Sequence, residues 1–174
     1  MLKGKRVNLR LLEKDELPLI REWLNEQEIE GEFEPISQVT IGDLEKQYET
    51  NREGQWFVVQ KSDGTKIGYI AHFLSSGHRA IGYALLPSER GQGYGTESVL
   101  IMVDYLFLTK NIVRIQAETH PQNIASHRVL EKAGFVKEGV IRQSFFSRGV
   151  WRDTVLFSIL REEWKGPRIL PNAP

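Results

Sequence analysis

Cysteine is absent from the 174 residues, which removes disulfides, thiolate metal ligands and a cysteine nucleophile together. No acyl-enzyme thioester forms on such a chain. Net charge is lacking as well: 23 Lys and Arg stand against 23 Asp and Glu, so no broad field draws the protein to nucleic acid or to an anionic membrane. Long apolar runs are missing too. The richest stretch, Val99 to Leu108, is interrupted by Asp104 and reads as a packed helix rather than a span. The opening MLKGKRVNLRLL mixes charges into its apolar positions and does not read as a signal peptide. His78, His120 and His127 have no second ligand at a spacing such as His-x-x-x-His, so no metal is expected. These absences predict a cytoplasmic protein with neither nucleic acid nor membrane as partner.

What remains, 40% hydrophobic and 26% charged, suits one globular domain with one sizeable core. Val7, Leu9 and Leu11 alternate with Arg6, Asn8 and Arg10, which predicts an opening strand. Asp15 is expected to cap a helix bearing Leu17, Ile20 and Leu24, with Pro18 in its first turn. Thr40 and Asp43 have the spacing of a capping box before Leu44 and Tyr48, and the acidic stretch 27–39 reads as a loop between two helices. Apolar runs at 56–60, 67–74 and 80–86, separated by Ser-Asp-Gly and Ser-Ser-Gly, predict a three-stranded meander.

A helix then follows from the spacing of Val99, Met102, Val103, Leu106 and Phe107, with Thr96, Glu97 and Ser98 in its first turn. Further on come a strand over 112–118, a helix opened by Asn123 or Pro121 and closed by Gly134, and a hairpin of 135–146 with 150–160. Residues 1–165 are thus expected to form a single domain, and 166–174 an irregular or mobile tail.

Between the meander and the long helix lies Arg90-Gly91-Gln92-Gly93-Tyr94-Gly95. It is not a Walker loop, because no Lys follows the last glycine. It is not a dinucleotide fingerprint either, since the third glycine position holds Thr96. A flexible turn and an anion cradle are left. Glycines there let backbone amides approach a phosphate while the helix N-terminus adds its positive end.

In its strand-loop-helix setting this segment resembles the pyrophosphate loop of the GNAT family of N-acetyltransferases. The segments VNLRLLEKDELPLIREWL, IGYALLPSERGQGYGTES, NIASHRVLEKAGFVKEG and GVWRDTVLFSILREEW resemble, in order, the branch typified by ribosomal-protein alanine N-acetyltransferases. The resemblance covers nearly the whole chain. It implies an α+β three-layer fold, a mixed and mostly antiparallel sheet flanked by helices, and acetyl-CoA as acetyl donor. It also implies that Ala84, Leu85 and Leu86 offer backbone groups to pantetheine. Arg90, Gly91, Gln92, Gly93, Tyr94, Gly95 and Thr96 would then surround the pyrophosphate, and Asn123 would contact pantetheine near the thioester.

Attack of an amine on a thioester needs a neutral amine, a polarised carbonyl and a donor for the departing thiolate. The tyrosine that many family members use as acid is replaced by Leu130. The resemblance puts Ser126 near the sulfur, where a hydroxyl, a far weaker acid than a thiol of pKa ~8.5, serves as hydrogen-bond donor rather than net proton source. Glu118, where the family's strands splay, is the preferred base, with His72 the second candidate. A weak base suits an α-amine, about one-tenth neutral at pH 7 with a pKa of ~8, better than a lysine near ~10.4.

The acceptor expected is therefore a protein N-terminus, the alternatives being a small amine such as an antibiotic or polyamine, or a sensor that binds acyl-CoA without turnover. A homodimer is compatible with the resemblance alone. Glu28, Glu30, Glu32 and Glu34 read as a solvated face or as an attraction for a basic peptide. Arg142, Arg148, Arg152 and Asp153 read as groove lining or surface pairs.

Overall fold

A computed structural model describes residues 1–51 and 53–170. Among them, strands β1 (Leu2–Lys3), β2 (Val7–Leu11), β3 (Gln55–Lys61), β4 (Lys66–Ser75), β5 (His78–Leu85), β6 (Arg114–Thr119), β7 (Val136–Ser147) and β8 (Val150–Leu160) form one sheet. Their order is β1-β2-β3-β4-β5-β6-β8-β7. Every junction is antiparallel except β5 with β6. Helices α1 (Leu17–Asn25), α2 (Gln27–Glu30) and α3 (Ile41–Thr50) lie on one side, while α4 (Tyr94–Thr109) and α5 (Ile124–Ala133) cover the other. This is the helix-flanked, mostly antiparallel sheet expected from the sequence.

Two cores follow from the two covered faces. Phe57 and Val59 join α4 and α5 in one cluster, while the intervening Val58 joins Leu12, Leu17, Ile20, Trp23 and Leu44 in the other. A central strand wrapped on both sides carries apolar residues without alternation, as Phe57, Val58 and Val59 do.

The Thr40–Asp43 capping box forms as expected: Asp43 N–H donates to Thr40 Oγ1 at 3.2 Å and Thr40 N–H to Asp43 Oδ2 at 2.9 Å. The start of α1 differs. Glu13, not Asp15, opens a 3₁₀ turn over Lys14–Glu16 that runs into α1. The cause is tertiary, because the buried Glu16 carboxylate is held by Arg10 and by Lys66 at 2.7 Å and accepts from Glu13 N–H. Those partners hold it down at a pKa of about 2.

The acidic stretch 27–39 contains the one-turn α2 and is closed at its base by Asn25. Its Oδ1 accepts from Val39 N–H at 2.8 Å and its Nδ2 donates to the Val39 carbonyl at 3.1 Å. Helix α4 is buried around its circumference, from Val99 to Asp104 and at Leu106 and Phe107. Asp104 accounts for the chain end, since its carboxylate accepts from the Trp164 indole and from the backbone N–H groups of Arg168, Ile169 and Leu170. Residues 166–170 are therefore irregular, as expected, but anchored rather than loose; 171–174 lie outside the described residues.

Candidate active site

Strands β5 and β6 are paired only at Arg79 with Ile115 and Ala80 with Gln116. Beyond that point β5 follows β4 as far as Leu85, and β6 follows β8 as far as Thr119. Each strand keeps its antiparallel partner, so the two part and open a V in the sheet. Tyr83, Ala84 and Leu85 belong to one arm, Glu118 and Thr119 to the other, and α5 begins shortly after the second arm ends.

The glycine loop closes the end of the first arm. Gly91 and Gly93 have φ of 75° and 85°, in the left-handed region that side chains disfavour, and Gly93 is the residue from which α4 starts. Among the described residues, the backbone N–H groups of Gly91, Gln92, Gly93, Tyr94, Gly95 and Thr96 donate to no protein acceptor. Unpartnered amides converging at a helix N-terminus are a cradle for an anion. Gly95 lies at contact distance from two other elements: a β-carbon on it would lie 3.7 Å from both Leu85 and Val129, so the loop, β5 and α5 meet at this residue.

The cradle is braced from the N-terminal hairpin. Glu97, buried in the first turn of α4, accepts from the backbone N–H of Lys5, Arg6 and Val7 at 2.6, 2.8 and 3.3 Å. These bonds hold its carboxyl below the ordinary range in spite of desolvation, the largest influence, which opposes them. Arg6 Nε reaches the same carboxylate at 3.3 Å and its Nη1 donates to the Gln92 carbonyl at 2.8 Å. Arg6 and Lys61 both lie over the Tyr94 ring, at 5.2 and 5.7 Å from its centre. No local pattern points to Arg6, because its loop contact spans 86 positions of chain.

Several expected contacts have other occupations. The Arg90 guanidinium donates to the carbonyls of Leu85, Glu28 and Ile29, and so ties the glycine loop to α2. The Leu86 N–H donates to Ile67 and its carbonyl accepts from Glu89. Asn123 caps α5 through Oδ1, which accepts from Ser126 N–H at 3.1 Å, while no protein acceptor among the described residues takes its Nδ2–H.

Ser126 stands in the first turn of α5, its hydroxyl 2.9 Å from the Tyr83 hydroxyl on the opposite arm. Tyr83 escaped the sequence reading, although its alternation with Ile81 and Leu85 places it on the same strand face. Burial pushes its phenol up to about 12, against a lowering by the Ser126 hydrogen bond. Glu118 is exposed, with Oε2 accepting from Thr154 Oγ1 at 3.2 Å. His72 is enclosed: Nε2 lies 3.1 Å from Gln55 Oε1 and Nδ1 lies 3.4 Å from Arg79 Nη1, so the core accounts for both nitrogens.

The acidic stretch overhangs the open end. Phe33 stacks on His120, with ring centres 4.8 Å apart, and so bridges it to the turn between β6 and α5. Tyr69 donates to Glu30 Oε1 at 2.6 Å, and desolvation raises the Glu30 carboxyl. Beside this lies an open trough of about 410 Å³ lined by Gln27, Glu28, Gly31, Glu32, Pro87, Arg90 and Arg148. Arg148 sits at the tip of the β7–β8 hairpin, so the trough runs between that tip and α2.

The family model described as "Acetyltransferase (GNAT) domain" matches residues 6–136. The chain belongs to the GNAT family. It is an N-acetyltransferase, and GNAT enzymes take acetyl-CoA as donor and an amine as acceptor. The probable N-acetyltransferase YjcK of Bacillus subtilis (strain 168) is 35% identical over 127 residues, 71% of this GNAT chain and 70% of its own. An aminoglycoside N(6')-acetyltransferase type 1 of Klebsiella pneumoniae is 29% identical over 153 residues, covering 78% and 76%.

Among solved structures, spermidine N-acetyltransferase from Vibrio cholerae in complex with CoA and spermine superposes with a TM-score of 0.78 at 23% identity, covering 90% of this chain and 96% of that one. The ribosomal-protein-S5-alanine acetyltransferase from Vibrio fischeri gives 0.77 at 23% identity, covering 94% and 97%. The GNAT fold is thus shared by enzymes with polyamine, aminoglycoside and ribosomal-protein names.

Proposed function

We propose that this GNAT enzyme acetylates the α-amine of a protein N-terminus. The observation that carries this reading is the trough between α2 and the hairpin tip. It is mostly open to solvent and leaves room for a chain end, whereas pockets for small ligands enclose most of the ligand's surface.

When bound, acetyl-CoA supplies the acetyl group as a thioester. The unpartnered amides of Gln92 to Thr96 hold its pyrophosphate, and the glycines permit the close approach. Ala84 and Leu85, on the first arm, and Asn123 at the head of α5 flank the pantetheine. Arg90 serves this arrangement from behind by fixing the loop to α2. As the C–N bond forms and the C–S bond breaks, Glu118 accepts the amine proton and the Ser126 hydroxyl faces the departing sulfur. An exposed carboxylate is a weak base, sufficient for an α-amine that is already partly neutral at pH 7.

A second reading is favoured by Glu28 and Glu32, which line the trough: a polycationic small amine as acceptor. Release of coenzyme A from acetyl-CoA, measured with N-terminal peptides, spermidine and an aminoglycoside, separates the two. Turnover of peptides with a free α-amine, lost when that amine is blocked, is the expected result. Turnover of spermidine or the aminoglycoside alone would overturn the protein-N-terminus reading. Binding of acetyl-CoA without release on any acceptor would leave a sensor.

A further inference from the structure

Tyr83 and Ser126 come from opposite sides of the V, and each hydroxyl carries one proton to share across their 2.9 Å contact. Which of the two donates decides what Ser126 has left. We propose that Tyr83 is a positioning residue for acetyl transfer: its O–H donates to Ser126 Oγ and so leaves the Ser126 O–H for the departing sulfur. This rests on the role of Ser126 given above.

Three observations support that direction. A phenol is a much stronger acid than an aliphatic alcohol, and its oxygen is the poorer acceptor because a lone pair is drawn into the ring. The favoured arrangement of the pair is therefore Tyr83 as donor and Ser126 as acceptor. Burial against the α4 and α5 core keeps the phenol protonated well past neutral pH, so the donor persists wherever the enzyme works.

The third observation concerns the proton that Ser126 keeps. Hydroxyls deeper in a helix are consumed by the carbonyl one turn back, as Ser98 is by Tyr94 at 2.8 Å and Thr109 by Tyr105 at 2.6 Å. Ser126 lies in the first turn of α5, where no carbonyl of the same helix stands four residues before it. Among the described residues its hydroxyl meets only Tyr83. With Tyr83 donating, the Ser126 proton is both free and held in direction. Without Tyr83 the hydroxyl rotates, and donation toward sulfur becomes one of several orientations.

The pKa of the thiol in bound coenzyme A, followed by thiolate absorbance in the ultraviolet, tests this without turnover. A hydroxyl donating to sulfur stabilises the thiolate, so that pKa is expected to be lower in the native protein than in Ser126→Ala. Tyr83→Phe is expected to show most of the same rise, about a tenfold change in the thiolate equilibrium.

With acetyl-CoA and an N-terminal alanine peptide, Tyr83→Phe should lower kcat about tenfold, leave KM for acetyl-CoA within about twofold and leave the melting temperature nearly unchanged. The double variant should be no slower than Ser126→Ala alone, a non-additivity that a packing role for Tyr83 does not produce.

An effect of Ser126→Ala on the thiol with none from Tyr83→Phe overturns the proposal and leaves the Ser126 reading standing. Absence of any effect from Ser126→Ala removes that reading and the proposal with it. A fall in kcat on adding Tyr83→Phe to Ser126→Ala shows Tyr83 acting by itself, and also overturns the proposal.

Discussion

His72 shows what the fold does to a polar side chain it closes over. Gln55 Oε1 accepts from the Tyr105 hydroxyl at 2.9 Å, so it takes the proton of His72 Nε2, and His72 Nδ1 is left facing the Arg79 guanidinium. Desolvation first, then that guanidinium, lower the imidazole pKa from 6.5 to about 4. The unfolded chain therefore binds this proton before the folded one does. The contribution of neutral His72 is complete above about pH 6.5 and is lost as pH falls toward 4, amounting to about 3 kcal/mol at most. Urea unfolding followed between pH 7 and pH 4 should show this decline, and His72→Gln should flatten it. Parallel profiles for the two proteins would contradict a neutral His72. The loss from Glu16 runs from about pH 4.5 down to about 2, so it only begins at the acid end of this range and is common to both proteins.

Among the secondary elements, the caps mark how far local reading reaches. The box at Thr40 was legible because all of its partners lie within four residues. The start of α1 was not, because Glu16 answers to Lys66, fifty positions away, as well as to its neighbours. The glycine loop was legible for the same local reason as the Thr40 box, whereas its brace was hidden. Arg6→Ala removes the donor to the Gln92 carbonyl and the packing on Tyr94, but leaves the Glu97 bonds to the backbone. Affinity for acetyl-CoA, measured by calorimetry, should fall about five- to tenfold with kcat little changed. An unaltered affinity would mean that the loop holds its shape without the N-terminal hairpin.

Across the molecule as a whole, the meander followed from periodicity and turn residues, and the antiparallel pairing of β3 with β4 and of β4 with β5 bears it out. The chain end did not, because its anchor is a single buried carboxylate on a distant helix. Asp104 accepts four N–H groups, from the Trp164 side chain and three backbone positions, and nothing in the sequence of the tail announces that. Asp104→Ala leaves those donors unmet in a buried site and should cost about 3 kcal/mol, seen as a lower melting temperature by calorimetry. Asp104→Asn, which keeps one acceptor oxygen, should cost less; equal losses would mean that the helix surface, not the hydrogen bonds, retains the tail.

The two-pair junction of β5 and β6 has a mechanical meaning. It makes the sheet a tuning fork: β1 to β5 form one tine, β6 to β8 the other, and only the stem joins them through backbone bonds. A ligand gripped by both tines supplies cross-ties that the strands themselves omit. If the cofactor sits between the tines as proposed, amide exchange along β5 and β6 is expected to slow when acetyl-CoA is bound and to quicken again on its loss.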